Sequence, residues 1–294
     1  MDRYTRAGLE FLVRDDGPRG GTPVVLLHGF PQDASCWQQV TPLLGAAGLR
    51  TLAPDQRGYS PGARPRGRAA YAVAELVGDV VALLDAAGLA QAHVVGHDWG
   101  GGVAWMLATY RPERVASLTV LSTPHPTALR WAFTNSTQWQ RSWYMFAFQL
   151  PVVPELVMSR QLGTILRASG LDATDATRYA DRFASAQSLY GPVGWYRAAP
   201  PTAGLLKALR AAVPGARPAS ADGATPGRQV ARVGVPTTYV WGNKDPVLGR
   251  AAAERTGRYV AADYRFVEID AGHWLPETAP AEVAAAVIER VTGR

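Results

Sequence analysis

Cysteine is nearly missing: Cys36 is the only one in 294 residues. One thiol excludes an intramolecular disulfide framework and a thiolate metal cluster, and Cys36 reads as a small buried apolar residue. Lysine is almost as scarce, with only Lys207 and Lys244, so the net charge of +6 is carried by arginine. The one dense basic stretch holds Arg64, Arg66 and Arg68 in SPGARPRGRAAY, among Pro and Gly and without the interleaved aromatics that stack bases. It reads as a solvated loop, and no nucleic-acid partner is expected. The first residues, MDRYTRAGLEFLVRDD, contain no continuous apolar block, so neither a secretory leader nor a membrane span is expected and the protein is read as cytoplasmic. Of five histidines, His93 and His97 stand four apart, a spacing that puts both on one face of a strand. No carboxylate or thiol cluster supports them, and no metal is expected.

What the sequence does have is an apolar fraction of 47% against 18% charged residues, enough for one sizeable core or a core with a subdomain. Short apolar runs recur: TPVVLLHG (22–29), RTLAPD (50–55), AHVVGHD (92–98), SLTVLS (117–122), TTYVWG (237–242) and YRFVEID (264–270). Continuous apolar strands imply a sheet covered on both faces. Helical patterns lie between them at 71–88, 101–110 and 281–291. The alternation predicts an α/β core with a mostly parallel sheet, and GLEFLVRDD adds an antiparallel edge hairpin. The pattern stops between about Pro124 and Val235, a region containing Trp131, Trp139, Trp143 and Trp195. There, WQRSWYMFAFQL and DATRYADRFASAQSLY read as amphipathic helices, and PGARPASADGATPGRQ (214–229) as a return linker. The expected organisation is a core of 1–123 and 236–294 with a helical cap inserted at 124–235.

The chemistry centres on GHDWGGG (96–102), which follows the AHVV run. A Gly-x-nucleophile-x-Gly turn between a strand and a helix is a nucleophile elbow. Gly96 and Gly100 flank it where the turn is too tight for side chains, and the nucleophile sits at a helix start that favours negative charge. Here the nucleophile is Asp98. A carboxylate needs no base to attack a saturated carbon, and the ester formed must then be hydrolysed. That second step requires a base for water, a group to orient the base, and donors for the oxyanion. His273 in DAGHWLPE follows the last core strand and Asp245 in WGNKDPV the preceding one, which reproduces the order nucleophile, acid, histidine. The backbone N–H groups of Trp99 and Phe30 are the expected oxyanion donors, with Pro31 restraining the HGFPQ loop, a cis bond being one way to do so.

Taken together, HGFP, APDQRGYS, GHDWGG, STPHP, WGNKD and GHW resemble the α/β-hydrolase superfamily and, within it, the epoxide hydrolase family. The resemblance runs from about Tyr4 to Ile288 and is loose in the cap. It implies an α/β-hydrolase fold with an inserted cap, no cofactor, and attack of Asp98 on an epoxide carbon while two cap tyrosines donate hydrogen bonds to the oxirane oxygen. GPVGWYRA resembles the segment bearing the second tyrosine, which assigns Tyr196, and SWYMFAFQLP the first, which assigns Tyr144. Phe30, Pro31, Trp99, Tyr144, Tyr196 and Trp274 are the expected substrate contacts. The aromatic cap implies an apolar or aromatic epoxide, with water as second substrate. Two alternatives remain at this stage. A haloalkane dehalogenase has the same triad and would use the Trp99 indole N–H for halide, but that family usually has Asn at the position of Phe30 or a second donor tryptophan. A hydrolase fold that only binds a ligand would tolerate loss of a triad member, and none is lost. The arginine-rich composition points to a bacterial source, and the sequence leaves monomer and homodimer both open.

Overall fold

Val24, Val25, Leu26 and Leu27 have no solvent exposure at all, which only the middle of a sheet covered on both faces allows. They form β3 (Thr22–Leu27). The computed structural model describes residues 1–200 and 232–293, and the sheet has eight strands in the order β1-β2-β4-β3-β5-β6-β7-β8. The others are β1 (Arg3–Arg6), β2 (Leu9–Asp16), β4 (Leu49–Pro54), β5 (Ala92–His97), β6 (Val115–Leu121), β7 (Thr237–Gly242) and β8 (Tyr264–Ile269). Strands β1, β2 and β4 pair antiparallel, and every later pairing is parallel. The expected hairpin is therefore present, with β2 also bonded to β4.

The chain runs from β3 outward to β4 and returns to the other side of β3 as β5. Strand order reverses there, and the loops leaving the carboxyl ends of β3 and β5 open the crevice in which doubly wound sheets carry their sites. Helices α1 (Thr41–Ala46), α2 (Val73–Ala86) and α3 (Trp99–Tyr110) follow β3, β4 and β5. Helix α3 starts directly at Trp99, two residues before the periodic pattern that marked it.

Six helices lie between β6 and the described end at 200: α4 (Pro126–Asn135), α5 (Gln138–Arg141), α6 (Tyr144–Ala147), α7 (Val153–Ala168), α8 (Ala173–Arg182) and α9 (Ala186–Ala198). Two expectations are corrected here. WQRSWYMFAFQL is two single turns broken at Ser142–Trp143. DATRYADRFASAQSLY is split because Ser185 caps a new helix, with its side chain accepting from Ser188 N–H in a capping box. The linker expected at 214–229 lies outside the described residues. Past β7 the chain adds α10 (Arg250–Arg255), α11 (Leu275–Thr278) and α12 (Pro280–Thr292). No described helix is long and apolar enough to cross a membrane.

Candidate active site

Asp98 has φ 49° and ψ −121°, a region that L-residues rarely enter and that the surrounding structure must impose. The imposition is steric. A Cβ on Gly96 would stand 2.4 Å from Gly100 O, and one on Gly100 would stand 2.2 Å from Leu27 O. Thr123 Oγ1 donates to Asp98 O at 2.7 Å, and Gly102 N–H donates to the same carbonyl at 3.0 Å. The turn is fixed from both sides, and the carboxylate is lifted off the end of β5.

Gly29 allows the loop after β3 to touch the nucleophile: a Cβ there would lie 2.3 Å from Asp98 Cβ. Phe30 N–H donates to Asp98 Oδ1 at 2.8 Å, and the Phe30–Pro31 bond is cis. Trp99 N–H is the first amide of α3 and has no hydrogen-bond partner among the described residues, as the first N–H groups of a helix do not.

Asp245 follows β7 and His273 follows β8, and the two meet at the sheet end. Asp245 Oδ1 accepts from Val247 N–H at 2.7 Å and Leu248 N–H at 2.9 Å, leaving Oδ2 to accept from His273 Nδ1 at 2.8 Å. The other ring nitrogen, Nε2, faces Asp98 Oδ2 at 3.6 Å. Burial alone would push His273 down, but Asp245 and Asp98 outweigh it and raise it to about 10. The two carboxylates on either side of the ring thus favour its protonated form. Burial works against ionisation of Asp98 as well, yet His273 holds it below the usual carboxylate range.

Above Asp98 lies a cavity of about 410 Å³ with mostly apolar walls, including Trp99, Met106, Phe133, Tyr144, Met145 and Tyr196. The Tyr144 and Tyr196 ring centroids are 5.9 Å apart. Tyr196 packs edge-on against Trp99 at 5.0 Å and Phe30 at 5.1 Å. Burial raises both phenols, and Asp98 adds to each shift.

Three expected substrate contacts fall elsewhere. Phe30 and Pro31 do not line this cavity; the loop turns its backbone to Asp98, and the Phe30 ring backs Tyr196 and Phe148. Trp274 points away, with its ring 5.1 Å from that of His273 and its Nε1–H donating to Ser169 Oγ at 3.0 Å. Among the described residues no group of three or more metal-ligating side chains occurs. His93 is bound to Ser117 Oγ at 2.7 Å.

Sequence reasoning missed the support behind the triad. Gln32 Oε1 accepts from Gly29 N–H at 3.0 Å and stands 2.8 Å from His97 Nδ1, while His97 Nε2 is 2.9 Å from His273 O. Burial lowers His97 to about 4, and a neutral ring has one N–H to offer these two acceptors. Ser122 Oγ also donates to His273 O, at 2.8 Å. Gln138 clasps the Asp245 loop, donating to Val247 O at 2.7 Å and accepting from Gly249 N–H at 2.9 Å. HGFPQ shows Gln32 and its local partner Gly29, but not His97, which lies 65 residues away.

The alpha/beta hydrolase fold family model matches residues 22–280. Epoxide hydrolase A of Mycobacterium tuberculosis (strain ATCC 25618 / H37Rv) is 34% identical over 97% of this chain and 95% of its own. AB hydrolase superfamily protein YfhM of Bacillus subtilis (strain 168) is 33% identical over 94% and 91%. The crystal structure of Epoxide Hydrolase A from Mycobacterium thermoresistibile superposes with a TM-score of 0.78 at 28% identity, covering 99% of this chain and 97% of that one. The chain belongs to the α/β-hydrolase superfamily and, within it, to the epoxide hydrolase family.

Proposed function

We propose that the protein hydrolyses apolar or aromatic epoxides to vicinal diols through a covalent ester on Asp98. The observation that carries this reading is the placement of two phenols, Tyr144 and Tyr196, in the walls of the cavity whose lining includes Asp98. A carboxylate nucleophile without an acid in the same cavity suits displacement of a halide; a phenol pair suits ring opening.

Asp98 Oδ2 attacks an oxirane carbon, the carbon–oxygen bond breaks, and the oxygen takes a proton from a tyrosine. Esterification cancels the charge on Asp98, so one of the two carboxylates holding the His273 proton is gone. His273 returns a proton to the tyrosinate and becomes the neutral base. It then takes a proton from water, which attacks the ester carbonyl, and the charge that develops on Oδ1 faces the N–H groups of Phe30 and Trp99. Collapse releases the alkoxide, the new acid at Asp98 protonates it, and His273 is left as imidazolium. The sum is epoxide plus water to diol.

We read the protein as a cytoplasmic bacterial enzyme acting as monomer or homodimer; its one cysteine, which can form no intramolecular disulfide, is compatible with a reducing compartment. The test is a panel of aryl and alkyl epoxides beside haloalkanes of matched size. Diol release without halide release is expected; halide release with intact epoxides would reverse the reading.

A further inference from the structure

Glu277 lies in α11, four residues after His273, and is only 8% exposed, yet no step above uses it. One of its oxygens, Oε1, accepts from Tyr179 OH at 2.7 Å and from Gln32 Nε2 at 2.7 Å. Tyr179 belongs to α8 of the inserted segment, and Gln32 closes the oxyanion loop, its own N–H donating to Gly29 O at 3.0 Å. Gln32 Oε1 then reaches Gly29 N–H, next to Phe30, and the His97 ring, next to Asp98. A single carboxylate oxygen thus joins an inserted helix to both flanks of the oxyanion site. Helix α8 is held to the same region by Arg182, which pairs with Asp55 at 3.0 Å and Asp33 at 3.3 Å.

We propose that Glu277 is a positioning residue for ester hydrolysis: it ties α8 to the Gly29–Gln32 loop, so that Phe30 N–H is held against Asp98 when α8 is seated. This rests on the ester mechanism proposed above. Phe30 N–H meets Oδ1, the oxygen on which charge grows in hydrolysis, whereas ring opening removes charge from the carboxylate. Loosening the loop therefore slows the second half-reaction in preference to the first.

The groups facing Glu277 are Tyr179, Arg178 and Asp175 from α8, Cys36 from the 34–37 turn, and Gln32. Arg178 pairs with Asp175 and donates to Tyr179 OH at 3.1 Å. Glu277 Oε2 and Asp175 Oδ2 have no partner among the described residues, so the tie runs through Oε1 alone.

The experiment compares wild type with Glu277→Leu, Glu277→Gln and Tyr179→Phe on an aryl epoxide that the wild type hydrolyses. Glu277→Leu should lower kcat by about tenfold or more and lower KM with it, leaving kcat/KM within about threefold, because kcat/KM reports ring opening. Acid-quenched samples should show the ester accumulating on the peptide containing Asp98. Glu277→Gln keeps an acceptor for both donors and should restore kcat to within about threefold. If Glu277→Leu does not fold, Tyr179→Phe decides, since it deletes one oxygen and should give a smaller kcat loss of the same kind. Unchanged kcat in the folded variants, or kcat/KM falling in step with kcat, would overturn the proposal. Failure of the wild type to open any epoxide would instead overturn the functional reading, and this inference with it.

Discussion

His273 Nε2 stands 3.6 Å from Asp98 Oδ2, close enough for charge to be shared and too far for a strong hydrogen bond. With Asp245 on its other nitrogen at 2.8 Å, His273 lies between two carboxylates that favour its protonated form, and in the mechanism proposed above it becomes a base only after Asp98 is esterified. Nucleophile and base are switched by each other's charge.

Asp98→Ala should abolish turnover, since the residue supplies the bond-forming oxygen. It should also lower the His273 pKa from about 10, because one of the two carboxylates stabilising the imidazolium is removed. The sign follows from linkage. A raised histidine pKa contributes stability that is complete below 6.5 and is lost as pH rises toward 10. Imidazole NMR of the variant measures the shift; an unchanged His273 pKa would mean that Asp245 alone sets it.

Tyr144→Phe and Tyr196→Phe should each slow ring opening by roughly 10²-fold, the range for loss of a positioned proton donor. Single-turnover ester formation reads this directly. Wild-type rates in both variants would remove the phenols from the mechanism.

His273→Gln should stop the reaction at the ester. Intact-protein mass should increase by the full mass of the epoxide, since ring opening loses no atoms, and peptide mapping should place the addition on Asp98. Diol release at near wild-type rate would exclude His273 as the base.

Glu277 leaves a separate mark on stability. Burial raises it from 4.5 to about 7, so between these values the unfolded chain is ionised while the folded one holds its proton, and this group's contribution to stability declines as pH rises. Glu277→Gln lacks that penalty. Relative to wild type it should gain up to about 3 kcal/mol between pH 4.5 and about 7 and nothing further above it. Urea unfolding across this range tests it; a difference independent of pH would refute the buried ionisation.

The strands were legible because short runs rich in apolar and β-branched residues mark β3, β5, β6 and β7, and the elbow because its glycines are demanded by backbone contact. The triad could be read from chain order, since each member leaves the end of a core strand. The inserted helices were harder: Ser185 starts a new helix by capping it, and the chain breaks between two single turns at Ser142–Trp143, both of which an amphipathic pattern passes over. Trp274 was misplaced because adjacency to His273 in sequence says nothing about which side of the loop an indole occupies. Glu277 escaped notice because its partners, Gln32 and Tyr179, are 245 and 98 residues away.

The apolar cavity wall bears on how the site empties. An epoxide has one weak acceptor, and two phenols satisfy it. The diol that replaces it brings two hydroxyls into a chamber with few groups to receive them, and each one left unpaired costs about 1–3 kcal/mol. On the reading proposed above, the mostly apolar wall therefore favours the epoxide over the diol and helps the product to leave.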